Sequence, residues 1–67
     1  MDQKVINLVV DDDNNNQRFD KVVAILLQDF SRMTIKNWIK TGNVLLDNSI
    51  AEPKTKVYKG QKIQVFP

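Results

Sequence analysis

The 67-residue chain contains neither cysteine nor histidine, and these two absences exclude whole classes of chemistry. Without cysteine there is no disulfide framework and no thiolate metal site, and without histidine the usual zinc and iron ligand sets cannot be assembled. No metal or other cofactor is expected. The commonest general base and the strongest side-chain nucleophile are missing for the same reason, which leaves carboxylates, hydroxyls and lysines. No apolar run approaches the roughly 18 to 20 residues that span a bilayer, and Met1-Asp2-Gln3-Lys4 lacks the basic-then-apolar build of a secretory signal. The expectation is a single cytoplasmic domain with no membrane partner, near the size at which one core just offsets the entropy of ordering the chain. No apolar seam stands out beyond the core, so a monomer is expected.

What is present is unevenly distributed charge. Residues 1–30 carry three basic and six acidic side chains, a net of 3 − 6 = −3, whereas residues 31–67 carry seven basic and two acidic, a net of 7 − 2 = +5. The overall +2 therefore hides a basic half suited to polyanions. Within that half, Arg32, Lys36 and Lys40 recur every fourth residue.

Periodicity places these charges. Lys4 to Val10, KVINLVV, is β-branched and apolar and predicts a strand. Asp11 to Asn16, DDDNNN, predicts a solvated loop; the glycine and final glutamate of a calcium-binding loop are missing. From Arg18 to Gln28, Phe19, Val22, Val23, Leu26 and Leu27 fall on one helical face. Ser31 is a favourable N-cap for a second helix from Arg32 to Lys40, with Ile35, Trp38 and Ile39 on its apolar side and Gly42 placed to end it. On that helix the three cations span about 80° beside the apolar arc. Val44 to Leu46, a turn at Asp47-Asn48-Ser49 and Ile50-Ala51 predict a hairpin, and Lys62 to Phe66 predicts a last strand. The order β, α, α, β, β, β, without internal repeat, is that of an α+β domain.

These residues assemble a pattern: Gln17-Arg18-Phe19-Asp20, Phe30-Ser31-Arg32, Ile35-Lys36-Asn37-Trp38-Ile39, Gly42-Asn43-Val44-Leu45-Leu46, Pro53-Lys54-Thr55-Lys56-Val57 and Gly60-Gln61-Lys62-Ile63. Over nearly the whole chain it resembles the S-four RNA-binding domain, or alpha-L motif, and within that family the N-terminal domain of pseudouridine synthases that modify large-subunit ribosomal RNA. The resemblance implies two packed helices against a small, mainly antiparallel sheet, with structured RNA, above all ribosomal RNA, gripped along the second helix. Position by position, Arg18, Ser31, Arg32 and Lys36 match the family's RNA-facing residues, and Lys40, Lys54 and Lys56 extend the match. Two positions depart from it: many members have Asn-Gly where this chain has Asn48-Ser49, and Gly-Asp where it has Gly60-Gln61. The departure at Asn48-Ser49 asks Ser49 to adopt a backbone angle that glycine takes freely. The resemblance further implies one S-four-like domain over residues 1–67, without the catalytic domain of those synthases, so that catalysis would belong to a parent protein.

Each candidate also has a structural reading. Ser31 is first a cap, and Arg18 and Asp20 can each pair with other charges to hold the first helix. Trp38, between Ile35 and Ile39, reads as core, whereas Tyr58 in its basic segment is the better base-stacking candidate. Lys54, Lys56, Lys59 and Lys62 either widen the footprint or guard an edge strand. Asp20 and Asp29 point in different directions and form no evident acid/base pair. The competing class is a protein-interaction or ribosome-assembly module whose basic face meets an acidic protein.

Overall fold

The computed structural model describes residues 5–67. Its elements are β1 (Ile6–Val9), a single 3-10 turn (Asp12–Asn14), β2 (Gln17–Arg18), α1 (Phe19–Leu26), α2 (Arg32–Thr41), β3 (Val44–Leu46), β4 (Lys56–Val57) and β5 (Lys62–Val65). Two packed helices lie against an antiparallel three-stranded sheet ordered β1-β5-β3, and β2 and β4 form a separate two-stranded ribbon. This is the α+β architecture expected from the sequence.

Alternation along the strands explains the core. Ile63 and Val65 point inward from the central strand, and their partners Leu8, Ile6, Leu46 and Val44 share that face. From the helices come Phe19, Val22, Val23, Ile35 and Ile39, each fully buried, with Val10, Leu27 and Val57 closing the edges. Burying one such side chain contributes about 1.5 to 3 kcal/mol.

Local chemistry ends α2 where the residues suggest. Ser31 Oγ accepts the Thr34 backbone N–H at 3.1 Å and so caps α2. Gly42, at φ 84°, ends it in the left-handed region, and its N–H donates to the Trp38 carbonyl. Helix α1 is shorter than the apolar pattern suggests: Arg18 is extended and Leu27 has left helical geometry.

Three expectations need correction. The strand reading at Ile50-Ala51 fails, because the hairpin after β3 closes with a single bridge, Leu46 to Ser49. Leu46 and Ser49 exchange backbone bonds of 2.9 and 3.0 Å around a two-residue turn at Asp47 and Asn48. Those two residues, not Ser49, take the positive φ angles, 50° and 67°. Asn and Asp tolerate this region better than most residues, so the turn forms without glycine. Beyond it the chain leaves the sheet, and β3 pairs instead with β5.

The second correction concerns Asp11 to Asn16, which is more than a solvated loop. Asp11 Oδ1 accepts both the backbone N–H and the side-chain amide of Asn14, which is buried, while Asn15 Oδ1 accepts the Lys59 N–H at 2.8 Å. Asn16, at φ 62°, donates its N–H to the Val57 carbonyl at 2.7 Å. Among the described residues no group of three or more acidic side chains is arranged to hold a metal ion. Third, Lys62 lies on the central strand and guards no edge. Lys4, the expected start of the first strand, lies outside the described residues.

Asp47 ties the turn to β5: its carboxylate accepts the Lys62 N–H at 2.9 Å and the Gln61 side-chain amide at 3.0 Å. The Lys62 backbone bond, followed by the Gln61 bond, holds its pKa below the ordinary aspartate value. A carboxylate with a lowered folded-state pKa stabilises the fold above its unfolded pKa and loses that contribution as pH falls through the folded one. The stability gap between wild type and Asp47→Asn should therefore be widest near neutral pH and shrink below about pH 4, as read by urea unfolding at several pH values. A gap that does not vary with pH would rule this linkage out.

Gly42→Ala should cost about 1 to 2 kcal/mol from its backbone angle alone. A β-carbon there would also approach Ile50 Cδ1 to 3.3 Å, whereas one at Gly60, φ 92°, meets nothing within 4 Å. Denaturant melts should rank Gly42→Ala as the more damaging of the two.

Candidate nucleic-acid interface

The site begins with the unsatisfied N–H groups at the start of α1. A helix start leaves its first donors without intrahelical partners, and here the Phe19 N–H donates to the Thr55 carbonyl at 2.7 Å and the Asp20 N–H to the Pro53 carbonyl at 2.9 Å. The β2–β4 ribbon continues the contact, with Arg18 opposite Lys56 and Gln17 opposite Val57. Residues 53–57 are thus held against the beginning of α1. That puts Lys54 and Lys56, far away in sequence, beside Arg18.

Between α1, α2 and this segment lie two adjoining concavities. One, of about 260 Å³, is lined by Arg18, Asp20, Lys21, Arg32 and Lys36. The other, of about 360 Å³, is lined by Arg18, Lys36, Lys40, Glu52, Pro53 and Lys54. They share Arg18 and Lys36, so they form one groove with six basic and two acidic side chains, a net of 6 − 2 = +4. The cations of α2 follow its axis with a rise of about 6 Å between successive members.

Five of the seven residues singled out in the sequence, Arg18, Arg32, Lys36, Lys40 and Lys54, line this groove. Lys56 lines neither cavity but is exposed across the ribbon from Arg18, and directly opposed residues project to the same side. Ser31 precedes Arg32, and its hydroxyl makes two bonds to Thr34. Sequence reasoning missed Lys21, which had counted only as part of the acidic half. Its spacing of three from Arg18 across a helix start was the available signal.

The groove's charges are mostly uncompensated. Arg18 makes a two-point ion pair with Asp20, whereas Arg32, Lys36, Lys40 and Lys54 form no ion pair with another described residue. The first turn of α2 contains no acid, so Arg32 adds its charge to the positive end of the helix dipole. Lys59 is elsewhere, paired with Asp12 at 3.0 Å on an exposed surface where such a pair contributes little. Lys62 lines a separate concavity on the outer face of the sheet with Asn7, Val9 and Gln64.

No family model matches the chain. It is 38% identical over 65 residues to the ribosomal large subunit pseudouridine synthase D of Xanthomonas campestris, an alignment covering 97% of this chain and 20% of that protein. The enzymes of the same name from Xylella fastidiosa and Vibrio vulnificus are each 42% identical, over 60 and 58 residues, covering 87% and 85% of this chain and 18% of each relative. The chain is similar to one part of a pseudouridine synthase. It spans about a fifth of the length of these curated relatives, and the rest of each lies outside the alignment.

The aromatic residues lie apart from the groove lining. Trp38 is half-buried against the core, with its ring centroid 4.9 Å from that of Phe30 at a tilt of 60°. Tyr58 is exposed, and its backbone N–H donates to Gln61 Oε1. Trp38→Ala should lower unfolding free energy by about 2 to 3 kcal/mol, less than the roughly 3 to 5 of a fully buried ring. Chemical denaturation measures this directly; a stability equal to wild type would remove Trp38 from the packing of the domain.

Proposed function

We propose that this chain is a single S-four-like RNA-binding domain that recognises structured ribosomal RNA through the groove between α1 and α2. In this reading it is the N-terminal targeting module of a cytoplasmic large-subunit ribosomal RNA pseudouridine synthase, and it leaves catalysis to the rest of that enzyme. The observation that carries the reading is the convergence of Arg18, Arg32, Lys36, Lys40 and Lys54 on one groove, with Lys21 added and most of these charges unpaired among the described residues. The names of the similar enzymes support the identity of the RNA.

The chemistry fits a phosphate backbone. Each phosphate that a lysine or arginine neutralises releases condensed counterions, which makes affinity fall steeply with salt. Arg32 supplies a planar fork for two-point phosphate contact, while Lys36, Lys40, Lys54 and Lys56 act as point charges. Ser31 contributes through the helix start it orders. The stripe carries few base-reading amides, so recognition rests on shape and backbone.

Arg32→Ala and Lys36→Ala should each weaken binding to a ribosomal RNA hairpin by about 1 kcal/mol or more, and each should reduce the salt slope by about one. Lys62→Ala, on the outer face of the sheet, serves as the control. A backbone amide titration by NMR at two salt concentrations should shift Arg18, Arg32, Lys36 and Lys40 in a salt-sensitive way. Equal affinities for all three variants, or a response only to an acidic protein, would replace RNA with a protein partner.

A further inference from the structure

An acidic side chain inside a groove for a polyanion should oppose binding, and Asp20 is one of two in the lining. Resting on the RNA-binding reading above, we propose that Asp20 is a positioning residue that holds the Arg18 guanidinium as a pre-formed phosphate fork. It thereby strengthens RNA binding in spite of its charge.

The geometry is specific. Asp20 Oδ1 accepts from Arg18 Nε at 3.2 Å and Oδ2 accepts from Nη2 at 3.0 Å. Oδ1 also accepts the Lys21 backbone N–H at 2.8 Å, which anchors the carboxylate to the first turn of α1. The carboxylate lies beneath and the guanidinium above, their side chains being 13% and 52% exposed. Of the five N–H donors on a guanidinium, the pair uses one on Nε and one on Nη2. Both N–H groups of Nη1 and the second of Nη2 are left on the side away from Asp20, and neighbouring donors on Nη1 and Nη2 match two oxygens of a phosphate.

A purely structural role is a weak account of this pair. The guanidinium end of the pair is half exposed, where an ion pair contributes little to stability, and the start of α1 is already held by the Pro53 and Thr55 carbonyls. A held arginine, by contrast, loses less side-chain freedom when a phosphate arrives, and that loss is a recurrent cost of binding.

The test uses the intact chain with a fluorescently labelled ribosomal RNA hairpin. Asp20→Asn makes the groove more positive by one charge and keeps an oxygen for the Lys21 N–H, yet its affinity should fall about two- to tenfold. Arg18→Ala should cost less in the Asp20→Asn background than in wild type, and the Arg18 Nε–H should exchange faster with water in Asp20→Asn. Asp20→Glu, which keeps the charge but lengthens the arm, should also bind more weakly; it carries the test if Asp20→Asn melts early. Wild-type or tighter binding by folded Asp20→Asn or Asp20→Glu would overturn the positioning role. If Arg32→Ala and Lys36→Ala weaken binding while the Asp20 variants do not, only this role fails. If wild type shows no salt-sensitive RNA binding, the RNA reading fails and this role falls with it.

Discussion

The groove depends on a backbone contact between two segments distant in sequence. Residues 53–57 are hydrogen-bonded to residues 16–20 through Val57, Thr55 and Pro53 carbonyls, which accept the N–H groups of Asn16, Phe19 and Asp20. Buried or partly buried donors at a helix start must find acceptors somewhere, and here the acceptors come from the segment that carries Lys54 and Lys56. Satisfying a helix therefore also assembles a charged surface. Pro53 suits this place, since the contact uses its carbonyl and asks nothing of the N–H it lacks.

Charge and packing are divided cleanly on α2. Ile35 and Ile39 are fully buried, Trp38 is half-buried beside Phe30, and Arg32, Lys36 and Lys40 occupy the adjoining arc. Because the cations border the apolar arc, they line a concavity with α1 and the Pro53 segment while remaining exposed. A stripe on the opposite side of the helix would have met a phosphate as a convex surface. The apolar pattern thus sets the groove's position, and the basic pattern sets its sign.

Much of this was legible in the residues, and the remainder was hidden for physical reasons. Short-range signals were reliable: the apolar faces of both helices, the Ser31 cap, the Gly42 stop and the strands at Val44 and Lys62 all lie where periodicity and capping place them. The β2–β4 ribbon has two residues in each strand and owes its existence to long-range pairing, so no local pattern announces it. The partner of β3 was misread as Ile50-Ala51 because proximity in sequence favours hairpins, whereas the turn at Asp47 and Asn48 ends after one bridge. Five of the residues singled out from spacing and resemblance line the groove. Lys21 was hidden because it counted with the acidic half of the chain, and only folding brings it beside Arg32 and Lys36.

The sheet order β1-β5-β3 has a consequence for how the chain comes into being. The final strand is the middle one, and it pairs Ile6 and Val44 with the same residue, Val65. The first strand and the third never touch through a ladder of their own, so during synthesis the sheet has no pairing partners until Lys62–Val65 have left the ribosome. The helices can form and meet earlier, because their contacts are local. Closure of the core is then a late, all-at-once event, and the exposed apolar edges that precede it are brief only if that last strand follows promptly.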